Sequence, residues 1–506
     1  MNLGSFLRTA AARDPERTAL RSAAGTLSYG ELNARVDALA AGLTSLGLEA
    51  GERVVLWLRN GPDFVETFFA CWRLGLVAVP VNARLRPADV AYHAADCGAA
   101  ALVHGPEFAD GAAEVEVAHR IGTGERYEAL VGAHAGAGDQ TRDIPDDTPA
   151  WLFYTSGTTG RPKGAVLTHA NLTFVTVSWC ADLYPLQPED VVLHAAPLSH
   201  GAGFHALAAV ARGAENVVLA RSDPAAILEA VSRHRVTAAW LVPTQIRMLL
   251  DAPELASADL SSLACVVYGG APMYREDLVE AIRRIGPVFC QLYAQGESPM
   301  TVTWLRREDH RLDGPGEVLT SAGRARTGME VRIADPDDRP VPAGRTGEIQ
   351  VRGPAVMAGY WGRPEASAEA LRGGWLHTGD VGRLDERGYL YVLDRLKDMI
   401  ITGGSNVYAR EVEDVLLRHP AVHDVAVFGV PHRVWGEAVT AVVVGGPGAP
   451  PDPDEVRAHC RTHLADFMRP KFVHVAESLP RNSYGKVLKR DLRERYAESA
   501  VVDGRA

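Results

Sequence analysis

The densest chemistry in the chain lies in Tyr154-Thr155-Ser156-Gly157-Thr158-Thr159-Gly160-Arg161-Pro162-Lys163-Gly164. Six residues in a row, Thr155 to Gly160, are small, and four of those six carry hydroxyls, which core packing would not select. Glycine lets a backbone close tightly and bring its N–H groups up to a ligand. The hydroxyls add donors, and Lys163 adds a positive charge. Such a loop is suited to cradling phosphate. It is not a Walker A loop, because Gly164 stands where that pattern needs Ser or Thr after the lysine. A solvated hairpin loop is the competing reading.

Other stretches could complete a site. Val266-Val267-Tyr268 reads as a strand running into Gly269-Gly270-Ala271-Pro272. Ligands of open α/β sheets sit beyond the carboxyl ends of strands, and two glycines there let a planar group lie flat on backbone. Some twenty residues on, Tyr293 offers an aromatic face and Glu297 a carboxylate of the kind that takes Mg2+ beside phosphates. Trp375-Leu376-His377-Thr378-Gly379-Asp380 places a carboxylate in what reads as a tight turn, with a purely structural Asx-turn as the alternative. Lys486 follows a glycine in a polar tail and would ordinarily be a solvated charge. His194, His200 and His205 are spaced by six and five, so no two share a helical face, and no Cys or Asp completes a zinc set.

The elements that must position these groups alternate in type. Ser28 with Glu31 forms a capping-box signal for a helix to Leu46, with Leu32, Val36, Leu39, Ala40 and Leu43 at helical spacing. A strand (54–58), a helix (63–74) and a short strand (77–81) follow. Residues 104–148 are weakly patterned, with a loop expected at Gly132 to Gly138. Thr168 can cap a further helix through Asn171 and Phe174, after which β/α alternation resumes. This pattern predicts an α/β protein with mostly parallel sheets. The polar hairpin from Asp385 to Gly388 precedes a new α/β pattern, which predicts a division into residues 1–394 and 395–506.

At 506 residues, the chain is too long for one ordinary domain. Hydrophobic residues make up 47% and charged residues 23%, as in folded globular proteins. A net charge of −11 without any block of like charge argues against nucleic acid as a partner. Six scattered cysteines read as reduced thiols, and no signal peptide or integral membrane segment is evident, so a cytoplasmic location is expected.

In order along the chain, the hydroxyl-rich loop, Gly-Gly-Ala-Pro, Tyr293-x-x-x-Glu297, Met357-Ala358-Gly359-Tyr360-Trp361, Thr378-Gly379-Asp380, Arg395-Leu396-Lys397-Asp398 and Gly485-Lys486 resemble the motifs of the adenylate-forming superfamily of acyl-CoA synthetases and related ligases. The resemblance covers nearly the whole chain. It implies a large N-terminal domain and a small mobile α+β C-terminal domain. Its reaction is attack of a small-molecule carboxylic acid on ATP, with Mg2+, to give an acyl-adenylate and pyrophosphate, then transfer to CoA.

By the same resemblance, Thr155, Ser156, Gly157, Thr158, Thr159, Gly160 and Lys163 hold the phosphates, and Gly269, Gly270, Ala271 and Tyr293 sandwich adenine. Glu297 holds the metal. Asp380 and Arg395 take the ribose, and Lys486 stabilises the transition state. His200 stands beside the reacting carboxylate, although a hydrogen-bonded core histidine is the other reading. Lys397 is the hinge, and Gly403 and Gly404 line the CoA tunnel. The acid pocket is expected from His200, Phe204, Trp240, Tyr268 and Gly296. Gly296 replaces the family's usual threonine, which removes one α-phosphate contact and is expected to enlarge the pocket; Ala294 replaces a glycine. Fatty and aryl acids both fit. The alternatives are a carrier-protein thiol or an amine as acceptor, nitrite activation for N–N bond formation, and a non-catalytic adenylate-binding protein. A homodimer is left open.

Overall fold

In the computed structural model, which describes residues 1–155, 161–271, 273–314, 317–446, 450–481 and 487–497, the two capping signals do what their chemistry allows. Ser28 and Glu31 exchange hydrogen bonds and start helix Tyr29–Ser45; Thr168 and Asn171 do the same for His169–Ser178. Leu32, Val36, Leu39 and Leu43 turn one stripe of the first helix into the core. Residues 104–148 hold more structure than their pattern suggests, including strand His119–Gly122 and helix Glu125–Ala133. That helix buries only Tyr127 and Val131, too few apolar residues to show a period.

The chain divides into two compact units. The first comprises 1–331, 350–377 and 388–390, and the second 332–349, 378–387 and 391–506, so the division does not fall at one chain position.

Two sheets build the first unit. One runs Arg324–Ala325, Ser298–Leu305, Phe289–Gln295, Cys265–Tyr268, Ala238–Leu241, Val191–His194, Glu215–Val218, Thr18–Ser22, Gly25–Ser28. The pairs from Phe289–Gln295 across to Thr18–Ser22 are parallel, and the two pairs beyond Phe289–Gln295 and the one beyond Thr18–Ser22 are antiparallel. The other runs His119–Gly122, Ala101–His104, Arg53–Trp57, Val77–Pro80, Pro149–Thr155, Lys163–Thr168, with only the last pair antiparallel. Helices Pro62–Leu74 and His169–Ser178 pack on this sheet and helix Gly201–Arg212 on the first, and the last two helices pack on each other. Both sheets are therefore buried by helices, as parallel strands with near-continuous apolar sequence require.

The second unit carries most of a four-stranded sheet, Glu330–Ala334, Gly347–Arg352, Leu376–Leu384, Leu390–Arg395. Its tail forms a five-stranded sheet centred on Gly436–Gly445 and Val422–His432, packed by helices Ala409–Leu416 and Pro453–His463. Half-buried Lys489 pairs with Glu413 at 2.9 Å, tying the tail into this unit.

Candidate active site

Strands Pro149–Thr155 and Lys163–Thr168 are antiparallel, and their register sets Thr155 directly opposite Lys163 and Tyr154 opposite Gly164. The residues between them, Ser156, Gly157, Thr158, Thr159 and Gly160, lie outside the described residues, as does Lys486. Both flanks of the loop are anchored. The Tyr154 hydroxyl donates to Asp96 at 2.8 Å, and Tyr92 donates to the Pro162 carbonyl at 2.9 Å. The Tyr154 ring lies over Gly164, where a Cβ would come within 3.2 Å of it.

Glu297 joins this corner from the bend between strands Phe289–Gln295 and Ser298–Leu305. Its Oε1 accepts from Thr155 Oγ1 at 3.0 Å and from the Tyr360 hydroxyl at 2.8 Å. Tyr360 is delivered by main-chain pairing. Trp361 N–H donates to Gly164, Ala358 N–H to Val166, and Met357 N–H to the Glu297 carbonyl. Lys163 Nζ sits 5.2 Å from the centre of the Tyr360 ring. Burial and the neighbouring Glu297 carboxylate push the Tyr360 hydroxyl up, so it stays a proton donor. A carboxylate with one oxygen held by two hydroxyls, beside a lysine and a phosphate-type loop, is a donor set that suits Mg2+. In the sequence Tyr360 stands out only as the aromatic within Met-Ala-Gly-Tyr-Trp.

Around this corner lie the other expected residues of the first unit. His200 immediately precedes helix Gly201–Arg212, with its Nδ1 2.9 Å from Ser199 Oγ. Burial pushes its ring down to about 4, so it is neutral at physiological pH. Trp240 is buried against the helix start and the Gly-Gly turn at once. A Cβ on Gly201 would lie 2.6 Å from its Nε1, and one on Gly269 would lie 3.2 Å from its ring and 2.5 Å from the Leu292 carbonyl. Gly270 takes φ 80°, and Gly270 and Ala271 are exposed beyond the strand end. Tyr293 is half-buried on the next strand, paired opposite Thr303. His194 and His205 go elsewhere: His194 Nε2 meets Asn216 Oδ1 at 2.9 Å, and His205 stacks on Trp179 at 4.3 Å.

Three pocket expectations are corrected. Tyr268 is wholly buried, shares the core face with Val266 and meets His310 Nε2 through its hydroxyl at 3.0 Å. Phe204 is buried and stacks on Trp151 at 4.5 Å, so it backs the wall rather than facing an opening. Gly296 leaves no gap, because a Cβ there would meet Thr155 and the Phe153 ring within 2.5 to 2.8 Å.

In the second unit, Asp380 lies inside strand Leu376–Leu384 rather than in a turn, one residue after Gly379 at φ 65°. Its backbone N–H donates to Thr378 Oγ1, and Arg395 Nε reaches its Oδ1 at 3.1 Å. The two residues expected at a ribose are thus brought together. Lys397 is exposed, and desolvation by its surroundings lowers its ammonium below the ordinary range. Gly403 (φ 56°) and Gly404 (φ 79°) form a two-residue hairpin turn between strands Ile400–Thr402 and Ser405–Val407, a geometry that favours glycine at both places.

The model of the AMP-binding enzyme family matches residues 7–361, and that of the AMP-binding enzyme C-terminal domain matches 411–486. The chain belongs to the AMP-binding enzymes. Among relatives of this adenylate-forming enzyme, a feruloyl-CoA synthase from an Amycolatopsis species is 42% identical over 98% of this chain and 99% of its own. A medium/long-chain-fatty-acid–CoA ligase from Mycobacterium tuberculosis is 36% identical over 94% of this chain and 86% of its own. The ATP-bound MatB structure from Rhodopseudomonas palustris superposes with TM-score 0.90 at 34% identity, covering 99% of this chain and 100% of that one. The o-succinylbenzoate CoA synthetase of Bacillus subtilis, solved with its acyl-adenylate, gives 0.86 at 32% identity over 96% and 97%. This AMP-binding enzyme is an AMP-forming acid–thiol ligase of the acyl-CoA synthetase type, using ATP, Mg2+, a carboxylic acid and CoA. Among the described residues, no helix is long and apolar enough to cross a membrane.

Proposed function

We propose that the enzyme activates an aryl-propenoic acid of the ferulate kind and transfers it to CoA in the cytoplasm. The observation that supports the chemistry is the Thr155–Glu297–Tyr360 cluster beside Lys163, a preorganised anion-and-cation corner at the mouth of a phosphate-type loop. The choice of acid is supported by the full-length likeness to a feruloyl-CoA synthase and by the half-buried Phe153 ring edge-on to His200, backed by buried Phe204 and Trp151.

In this reading the acid's carboxylate attacks the α-phosphate of ATP and pyrophosphate leaves. Thr155, Lys163 and the loop residues 156–160 would hold the departing phosphates, and Glu297 would hold Mg2+, which would offset their charge. Neutral His200 stands beside the carboxylate without competing for its charge. Asp380 and Arg395 orient the ribose; Gly269, Gly270, Ala271 and Tyr293 take the adenine. Lys486 steadies the charge on the pentavalent phosphorus. Lys397 acts as hinge before thiol attack, and Gly403 and Gly404 line the path of CoA.

The test is kcat/KM for ferulic, cinnamic, benzoic, octanoic and palmitic acids in a CoA-coupled assay. The phenylpropenoic acids should lead by about tenfold or more, the discrimination that hydrophobic pockets commonly reach. A lead by octanoic or palmitic acid would reassign the enzyme to fatty acids.

A further inference from the structure

Gly296 and Phe153 are 143 positions apart in sequence and compete for one volume. A Cβ at 296 would lie 2.6 and 2.8 Å from carbons of the Phe153 ring and 2.5 Å from the Thr155 methyl. Its backbone is outside the left-handed region, so space alone forbids a side chain there. The ring that takes this space is half-buried at the carboxyl end of strand Pro149–Thr155. It stands edge-on to His200, with centroids 5.2 Å apart, and 5.9 Å from Phe204. Phe204 stacks in turn on Trp151, and both are buried. A ring backed in this way cannot yield without overpacking the aromatics behind it.

Position along the chain says which end of the acid it meets. Phe153 is two residues before Thr155 and touches the residue before Glu297, so it stands at the phosphate-and-metal end of the site. We infer that Phe153 is a specificity-determining residue that narrows the site around the carbon next to the reacting carboxylate, so that the enzyme takes acids unbranched at that carbon and rejects those carrying a side group there. The inference rests on the acid-activating reading. A planar propenoic acid fits such a slot edgewise; a methyl on its second carbon has to displace a backed aromatic ring.

The experiment compares cinnamic acid with α-methylcinnamic acid (2-methyl-3-phenylpropenoic acid), and 3-phenylpropionic acid with 2-methyl-3-phenylpropionic acid, by ATP–pyrophosphate exchange. The proteins are the wild type, Phe153→Leu, Gly296→Ala and the double variant, each checked by its melting temperature. The wild type should prefer the unbranched member of each pair by about tenfold or more, the range for one misplaced carbon in an apolar pocket. Phe153→Leu should cut that preference to about threefold or less, through KM for the acid and with little change in KM for ATP. Gly296→Ala should lose about tenfold in kcat/KM in the wild-type background and recover part of it with Phe153→Leu, as coupled neighbours do, the contact with the Thr155 methyl remaining. An unchanged preference in folded Phe153→Leu, or a Gly296→Ala loss that is equal in both backgrounds, would overturn the inference alone. No exchange with any acid would overturn the acid-activating reading and the inference with it.

Discussion

Replacing Tyr360 by phenylalanine removes one hydroxyl and nothing else from the corner that holds Glu297. The lost contact is the 2.8 Å donation to Glu297 Oε1; the 3.0 Å donation from Thr155 to the same oxygen stays, as does the ring beneath Lys163. Hydrogen bonds to a charged group contribute about 1.5 to 3 kcal/mol. Tyr360 and Glu297 are both half-buried, so water can replace part of the lost donor, which points to the lower end, about 1.5 kcal/mol. A carboxylate released from one of two positioning bonds then binds its ion about tenfold more weakly, the lower end of what loss of a ligand's supporting partner does. The assay is ATP–pyrophosphate exchange titrated with free Mg2+ at saturating acid. The midpoint should move up by about tenfold while the melting temperature changes by little. A midpoint unchanged in Tyr360→Phe, and unchanged again when Thr155→Val is added, would refute the assignment of Glu297 as a metal ligand oriented by these hydroxyls.

Other expectations follow from the same geometry. Asp380→Asn removes the charge paired with Arg395 and should raise KM for ATP by about tenfold, without altering the ranking of acids; an unchanged KM for ATP would remove Asp380 from the ribose site. Gly404→Ala puts a side chain at φ 79°, which costs about 1 kcal/mol, so the melting temperature should fall by a few degrees and thioester formation should slow more than adenylation. Equal slowing of both steps would argue against a role on the CoA path. Burial holds His93, His169, His194 and His310 each down at about 4, against 6.5 in an unfolded chain. Between those values the unfolded state binds more protons, so this stabilisation is complete above about pH 6.5 and is lost as pH falls toward 4. Melting should therefore occur at lower temperature at pH 5.5 than at pH 7.5, and an equal or higher value at pH 5.5 would contradict it. Lys486→Ala should abolish adenylation yet spare thioester formation from a supplied acyl-adenylate; equal loss of both would sink the assignment.

What the sequence made legible was local. The Ser28–Glu31 box and the Thr168 cap depend on residues no more than three apart, and both form, the latter with Asn171 as its reciprocal partner. The Gly403-Gly404 turn and the strands flanking the hydroxyl-rich loop likewise carry their own chemistry. Tyr268 was misread because Val266, Val267 and Tyr268 are all apolar. A strand buried on both faces shows no alternation, so its sequence cannot say which face a given side chain takes. Gly296 was misread because the absence of a side chain suggests space, whereas the Phe153 ring fills it from 143 residues away. Tyr360 escaped notice as a partner of Glu297 because its position comes from main-chain pairing with strand Lys163–Thr168, which no short window contains. Asp380 looked like a turn residue because Gly379 precedes it, but that glycine bends a strand instead.

The most direct measurement is mass spectrometry of the products formed from ATP, Mg2+ and cinnamic or ferulic acid, with and without CoA. With CoA present, the expected products are the aryl-CoA thioester, AMP and pyrophosphate, and without it an adenylate that remains on the enzyme. ADP and phosphate as products, or turnover to AMP that ignores CoA, would contradict an AMP-forming CoA ligase.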